Sequence, residues 1–211
     1  ISGEFLEEQR RDIGELRYKM EYEAEFVEGE NCFFTQDLLR ECVEDYDLID
    51  ESQLMSEGKI AGDYYLGADF GKRVDYSVVA LLKQEENELL RLVFLKQFPL
   101  GTPYSDIVGF TQRLNQKFDI VKGCVDQSAI GESLLEEIRG FAPQVDGLAF
   151  TAKVKQDLMI LLQTRMEQKR IILPLDRTLL SQINEQQYRF GKAKPTEKPE
   201  EKFNLFWQKE P

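Results

Sequence analysis

Histidine is absent from the 211-residue sequence. Without an imidazole, the chain cannot form a Ser-His-Asp triad, a Cys-His pair or a His-ligated zinc site. Any hydrolytic chemistry must therefore use carboxylates, lysine, tyrosine, a thiol, or a metal held by oxygen ligands.

Cysteines and long apolar runs are also scarce. The three cysteines, Cys32, Cys42 and Cys124, are an odd number without a close pair, which argues against a disulfide framework or a four-cysteine metal site. No apolar run approaches the roughly 20 residues that span a bilayer. The polar, acidic N-terminus is unlike a signal peptide. We therefore expect a soluble protein of a reducing, intracellular compartment that is neither secreted nor bound to a membrane.

Charge is unevenly distributed along the chain, whose formal net charge at pH 7 is −12. Residues 1–60 contain 6 Lys and Arg against 18 Asp and Glu, whereas residues 61–211 contain 21 of each. This step predicts a domain boundary near residue 58. We expect an acidic, partly helical connector over residues 1–57 and a separate domain over residues 58–211.

The connector has helical composition but little apolar surface. One helix is predicted within Glu4–Glu25, and a second begins after Thr35, a typical N-cap residue followed by Asp37 in the first turn. Because neither helix has a broad apolar face, we expect this segment to pack on another domain.

From Asp63 onward, short apolar runs alternate with helical patterns. The predicted strands are Tyr64–Asp69, Tyr76–Leu82, Leu89–Leu95, Ile120–Val125, Gly147–Phe150 and Ile171–Pro174. The predicted helices are Thr102–Phe118, Glu132–Phe141, Val154–Gln168 and Arg177–Ile183, before a hairpin or loop over Gln187–Gln208. Three consecutive strands followed by crossover units predict an α/β protein with a mixed sheet flanked by helices, in the element order of the ribonuclease H fold.

Two acidic residues end apolar strands in this pattern. Asp69 follows Tyr65-Leu66-Gly67-Ala68, and Asp126 follows the Ile120–Val125 strand. If these strands are parallel neighbours, both carboxylates emerge at one sheet edge, where a cation must offset their repulsion. Carboxylate oxygens suit Mg²⁺ or Mn²⁺, and such a site supports water attack on a phosphodiester. For Asp69 alone, ordinary turn chemistry before Gly71 is the alternative.

Several other residues are candidates at the same site. Asp75 either tunes the metal from outside its ligand shell or serves only the hairpin. The candidates for phosphate contacts are Lys72, Arg73, Lys153, Lys155, Arg189, Lys192 and Lys194. For each basic residue the alternative is an ordinary solvated surface charge.

Three segments together resemble a known family. They are Gly67-Ala68-Asp69-Phe70-Gly71, then Asp75-Tyr76-Ser77-Val78-Val79, then Val125-Asp126-Gln127-Ser128 with Gly131 ahead of a helix. Their order and separation resemble the nuclease domain of the large terminase subunit of tailed bacteriophages. The connector, with Tyr22-Glu23-Ala24-Glu25-Phe26 before the Thr35 helix, resembles the segment that links the ATPase motor to the nuclease in that family.

The resemblance implies a RuvC-like, ribonuclease H-like endonuclease that cuts double-stranded concatemeric viral DNA during genome packaging. Asp69 and Asp126 match the first two metal-binding aspartates of the family. The third acidic position follows the tail hairpin in the family, so we expect the domain to continue past Pro211. The implied partners are DNA, the terminase ATPase domain, the small terminase subunit and the portal protein, in the cytoplasm of the infected host cell.

Other function classes remain open. No Gly-x-x-x-x-Gly-Lys-Ser/Thr phosphate loop occurs, so ATP hydrolysis is not expected, and Asp69-Phe70-Gly71 matches a kinase motif without the accompanying kinase loops. A fragment of an actin-like or sugar-kinase-like ATPase would need a second Asp-x-Gly loop, which Asp126-Gln127-Ser128 does not provide. A catalytically incomplete module that grips DNA or docks on the packaging motor is the stronger alternative.

Overall fold

The computed structural model describes residues 32–54, 58–71 and 75–186, the side chain of Ala129 excepted. The strands are β1 (Val43–Glu44), β2 (Ile60–Asp69), β3 (Val78–Gln84), β4 (Leu90–Gln97), β5 (Phe118–Asp126), β6 (Val145–Leu148) and β7 (Ile171–Pro174). The helices are α1 (Gln36–Glu41), α2 (Glu51–Leu54), α3 (Tyr104–Lys117), α4 (Gln127–Phe141), α5 (Ala152–Glu167) and α6 (Arg177–Asn184). The helix predicted within Glu4–Glu25 and the hairpin or loop predicted over Gln187–Gln208 lie outside these ranges.

Within these ranges, seven strands form one mixed sheet in the order β1-β7-β4-β3-β2-β5-β6. β2, β3 and β4 are the predicted antiparallel meander. β5 pairs in parallel with β2, and β6 pairs in parallel with β5. β2 therefore lies mid-sheet between β3 and β5, which confirms the α/β class and the ribonuclease H-like strand order.

Short polar side chains set where several helices begin. Thr35 Oγ1 accepts a hydrogen bond from the Leu38 amide at 3.3 Å, and Thr151 Oγ1 accepts one from the Val154 amide at 3.2 Å. Such N-caps satisfy amides that have no partner within the helix. The helix predicted from Glu132 is preceded by a helical turn over residues 127–130, which Asp126 caps and which non-helical Gly131 separates from the rest of α4.

The first face of the sheet packs on α3 and α4. Along β2, alternate side chains are buried in this core, namely Tyr64, Leu66 and Ala68. The two helices contribute Ile107, Phe110, Leu114, Leu135 and Ile138. Since burial of each large apolar side chain stabilises the fold by about 1.5–3 kcal/mol, this core holds β2 and β5 firmly.

A second core lies on the opposite face, over β4 and β7. It joins Leu39 of α1, Met166 of α5 and Leu180 of α6 to the strands, together with Phe33 and Phe34. The backbone around the two phenylalanines is also tied down by hydrogen bonds. The Phe33 amide donates to the Gln186 carbonyl at 2.8 Å, Gln163 Nε2 donates to the Phe33 carbonyl at 2.8 Å and Asn184 Nδ2 donates to the Phe34 carbonyl at 2.9 Å.

This second core corrects one expectation about the connector. The helix after Thr35 was expected to pack on another domain, yet α1 and the residues around it pack on the sheet of this chain. The buried apolar residues that make this possible, Phe33 and Phe34, precede the helix, so the helix pattern alone does not reveal them. The boundary near residue 58 stays a prediction.

A polar cluster also binds the same segment to β4 of the sheet. The Tyr46 hydroxyl donates to the Leu92 carbonyl at 2.8 Å, and the Arg91 guanidinium lies over the Tyr46 ring at 4.8 Å. Arg91 also binds Glu85 and Glu44, each at 2.8 Å. These contacts raise the pKa of Arg91, so its positive charge persists at any ordinary pH.

Candidate metal centre

Asp69 and Asp126 end neighbouring parallel strands. Ala68 of β2 is paired with Val125 of β5, so the two aspartates are each one residue beyond a paired position. Parallel neighbours are separated by about 4.8 Å between strands, so the two Cα atoms lie side by side at the carboxyl end of the sheet. The structure therefore brings together the two residues that the sequence singled out.

Both aspartates also lie on the same face. In β2 the core-facing positions are Leu66 and Ala68, whereas Gly67 and Asp69 alternate to the other side and are exposed. In β5, Val125 is buried in the first core, and Asp126 follows it on the opposite face. Both carboxylates consequently lie on the second face.

Asp126 is held by its local structure. Its Oδ1 accepts a hydrogen bond from the Ser128 amide at 2.8 Å, which makes it the N-cap of α4. On its other side, Asp126 is paired with Leu148 of β6. One carboxylate oxygen thus has a fixed partner, and the strand end is flanked by β2 and β6.

The turn after Asp69 folds back tightly. The Gly71 amide donates to Ser77 Oγ at 3.0 Å, and a Cβ at Gly71 would lie 2.2 Å from the Asp75 carbonyl oxygen. Only glycine allows this close approach of the two backbones. Asp75 is exposed in this returning segment, three residues before β3 begins rather than at the start of the strand. Its role at the site stays a prediction.

Three further side chains on this face, those of Cys124, Lys122 and Asp146, were not singled out as site residues by the sequence analysis. Cys124 is paired with both Gly67 of β2 and Asp146 of β6. Burial raises the pKa of the Cys124 thiol, and the charges of Asp146 and Asp126 raise it further. Alternation backward from Asp126 could have placed Cys124 on this face, but its pairing with β6 required the register.

An ion pair lies beside this thiol. Lys122 Nζ is 2.6 Å from Asp146 Oδ2, and the hydrogen bond and charge of Lys122 lower the pKa of the Asp146 carboxyl. Both side chains are exposed, so the pair adds little to stability. Alternation backward from Asp126 places Lys122 on this face as well, whereas Ile120 lies in the first core because the register of β5 on β2 shifts between Tyr64 and Tyr65.

The predicted DNA-binding residues are only partly within the described ranges. Lys153 and Lys155 are exposed in the first turn of α5, which begins four residues after Leu148, the partner of Asp126 in β6. Lys72, Arg73, Arg189, Lys192 and Lys194 lie outside the described residues. The start of α5 thus places Lys153 and Lys155 beyond the end of β6, the strand that is paired with Asp126.

The donors fit a hard divalent cation. Two carboxylates at adjacent strand ends repel each other, and Mg²⁺ and Mn²⁺ prefer such oxygen ligands together with water. Over residues 32–54, 58–71 and 75–186, no group of three Asp, Glu or Cys side chains is close enough to hold a metal. Within these ranges, the candidate site therefore has two carboxylates, those of Asp69 and Asp126. No helix among the described residues is both long and apolar enough to cross a membrane.

The large terminase subunit of Thermus virus P23-45 is similar to this chain, with 27% identity over 192 residues. The match covers 88% of this chain but 37% of that protein, so the chain spans little more than a third of its relative. The resemblance to large terminase subunits is confirmed. No known family profile matches the chain.

Solved structures locate the resemblance in the terminase nuclease. The crystal structure of the large terminase nuclease from thermophilic phage G20c with bound magnesium has a TM-score of 0.61 and 23% identity, and the match covers 77% of this chain and 84% of that one. The zinc-bound structure of the same nuclease has a TM-score of 0.52 and 26% identity, over 60% of this chain and 72% of that one. The ribonuclease H-like fold of terminase nucleases is therefore the fold of this chain.

Proposed function

We propose that this chain is the metal-dependent endonuclease domain of a large terminase subunit and cuts double-stranded concatemeric viral DNA during genome packaging. The observation that supports this proposal most directly is the pair Asp69 and Asp126, side by side on one face at the ends of parallel strands. The similarity to terminase nucleases that bind magnesium and zinc supports the same activity.

The proposed chemistry is phosphodiester hydrolysis by a two-metal mechanism. Bound Mg²⁺ or Mn²⁺ would lower the pKa of a coordinated water and offset charge on the phosphate that is cut. Asp69 and Asp126 would hold the metal with their carboxylate oxygens. Because Asp126 Oδ1 already accepts the Ser128 amide, Oδ2 is the oxygen that we assign to the metal.

DNA would be held by charge rather than by sequence. Lys153 and Lys155 are exposed cations in the first turn of α5 and would neutralise phosphates beside the cut strand. Asp75 would shape the site without binding the metal. By the same resemblance, we propose the terminase ATPase domain, small terminase subunit and portal protein as partners, in the cytoplasm of the infected host.

A second candidate is a module that grips DNA or docks on the motor without cutting. The two-carboxylate site supports it, because the described residues contain no third metal-binding carboxylate near Asp69 and Asp126. Such a module would keep the fold and the salt-sensitive DNA binding but would lack nicking activity.

Plasmid cleavage separates the two candidates. Supercoiled plasmid is incubated with the chain and Mn²⁺, and nicked and linear products are measured on a gel. We expect cleavage by the wild-type chain and none by Asp69→Ala. The matched control is Asp63→Ala, which removes an exposed aspartate from the same strand and should leave cleavage unchanged. Salt-sensitive DNA binding without cleavage by the wild type would contradict the nuclease and favour the gripping module.

A further inference from the structure

The start of α4 contains a break that bears on Asp126. Gly131 has φ 72° and ψ 174°, far from helical values, so the turn over residues 127–130 is separated from the rest of the helix. The turn that Asp126 caps is therefore not continuous with the body of α4, and its own contacts bear on the Asp126 side chain.

Ser128 makes such a contact. Its amide donates to Asp126 Oδ1 at 2.8 Å, and its Oγ accepts a hydrogen bond from the Phe150 amide at 3.0 Å. Phe150 is in the loop between β6 and α5, two residues after Leu148, which is paired with Asp126. Ser128 therefore links Asp126, the candidate metal ligand, to the β6–α5 loop.

The β6–α5 loop, which contains Phe150, is itself held by hydrogen bonds. The Thr151 amide donates to the Ala149 carbonyl at 2.8 Å, and Thr151 Oγ1 caps α5. At Gly147, a Cβ would lie 2.8 Å from Gln127 Oε1, so β6 and the start of α4 are in close contact. Ser128 completes this set of contacts from the side of α4.

We propose that Ser128 is a positioning residue that fixes the Asp126 carboxylate for metal binding by tying the first turn of α4 to the β6–α5 loop. Ser128 does not touch the metal. Loss of its hydroxyl frees the turn over residues 127–130 to shift, and the Asp126 oxygens lose their fixed direction. This inference rests on the proposed function, because it assigns Asp126 to a metal.

Ser128 is exposed, and alanine is a good helix former, so Ser128→Ala should fold like the wild type. Residues that orient metal ligands typically contribute 10- to 100-fold in metal affinity, and an effect through the backbone belongs at the lower end, about tenfold. Ser128→Thr keeps the hydroxyl and should restore affinity. Ser181→Ala is the matched control, because it removes a serine hydroxyl that donates a hydrogen bond to Glu185 at the C-terminal end of α6, on the other core.

The test is a direct titration of the whole chain with Mn²⁺, in which electron paramagnetic resonance measures the free Mn²⁺. Thermal melting of each variant checks that it is folded. We expect about tenfold weaker binding by Ser128→Ala, with wild-type affinity in Ser128→Thr and Ser181→Ala. Equal Mn²⁺ affinity of Ser128→Ala and wild type, or no recovery of affinity in Ser128→Thr, would overturn the proposed role of Ser128 but not the metal centre. A wild type that binds no Mn²⁺ would instead overturn the metal centre, and the role of Ser128 with it.

Discussion

On the second face of the sheet, β4, β7 and β1 lie beneath α1, α5 and α6, whereas β2, β5 and β6 carry exposed or half-buried polar side chains. We call these the covered end and the open end. At the covered end, Phe33, Phe34, Leu39 and Leu180 are each at most 3% exposed. At the open end, Asp69 and Asp146 are exposed and Asp126 is half-buried. The covered end stabilises the sheet, and the open end leaves carboxylates accessible to a ligand.

The two ends share strands, so the difference is not one of separate domains. α3 and α4 pack on the first face of β2 and β5. The second face of these two strands can therefore carry polar side chains. Strands that are packed on one face and accessible on the other are a good scaffold for metal ligands, because the packing supports the backbone that positions the ligands. Substitutions at the open end should therefore affect chemistry, and those at the covered end should affect stability.

The largest expected effect is at the open end. Asp126→Asn should abolish Mn²⁺-dependent plasmid cleavage while leaving the thermal unfolding midpoint nearly unchanged. Asparagine replaces a carboxylate that would bind metal, yet it has nearly the same volume and is an equally good N-cap for α4. Gel analysis of nicked plasmid measures the loss, and circular dichroism measures the melt.

Asp176→Asn provides the control at the covered end. Asp176 is also an N-cap, since its Oδ1 accepts the Leu179 amide at 2.8 Å in α6. The same chemical change at this position should leave cleavage intact. If Asp126→Asn cuts plasmid as fast as the wild type, the two-aspartate assignment is wrong.

A stability loss is expected from the covered end. Phe34 is completely buried, and its ring is 5.0 Å from that of Phe33. Phe34→Ala removes this apolar volume and leaves a cavity, so we expect a loss of about 3–5 kcal/mol in the free energy of unfolding. Urea denaturation measures this change.

The same variant tests whether the ends are functionally separate. At a temperature where Phe34→Ala is still folded, its Mn²⁺ affinity should match that of the wild type. A folded Phe34→Ala variant with much weaker Mn²⁺ binding would show that the covered end shapes the metal centre, and the distinction between the two ends would fail.

Much of this architecture could be predicted from the sequence because local patterns carry it. Strand β2 was found from its apolar run, α5 from its periodicity, and the pair Asp69 and Asp126 from the ends of two strands. Other features depend on contacts between distant residues. The burial of Phe33 and Phe34 requires α5 and α6, which are more than 100 positions away in sequence. The bond between Ser128 and Phe150 likewise requires the register of β6 on β5, which no local pattern specifies.

A smaller effect should distinguish the polar contacts of the covered end from its apolar core. Burial raises the pKa of Tyr46 from 10.0 to about 12. Between pH 10.0 and about pH 12, the Tyr46 hydroxyl is protonated in the folded chain and deprotonated in the unfolded chain. The stabilisation is therefore complete below pH 10 and is lost as the pH rises through about 12. Urea unfolding of the wild type at pH 8 and pH 11 should show this decrease.

Tyr46→Phe isolates the contribution of this hydroxyl. The substitution removes the hydrogen bonds to the Leu92 and Ile172 carbonyls, so we expect a loss of about 0.5–1.5 kcal/mol at neutral pH. The variant should also lose less stability than the wild type between pH 8 and pH 11, because the titrating group is gone. Some decrease should remain, since burial also raises the pKa of Tyr64. An identical decrease in both proteins would show that deprotonation of Tyr46 does not cause the loss of stability between pH 8 and pH 11.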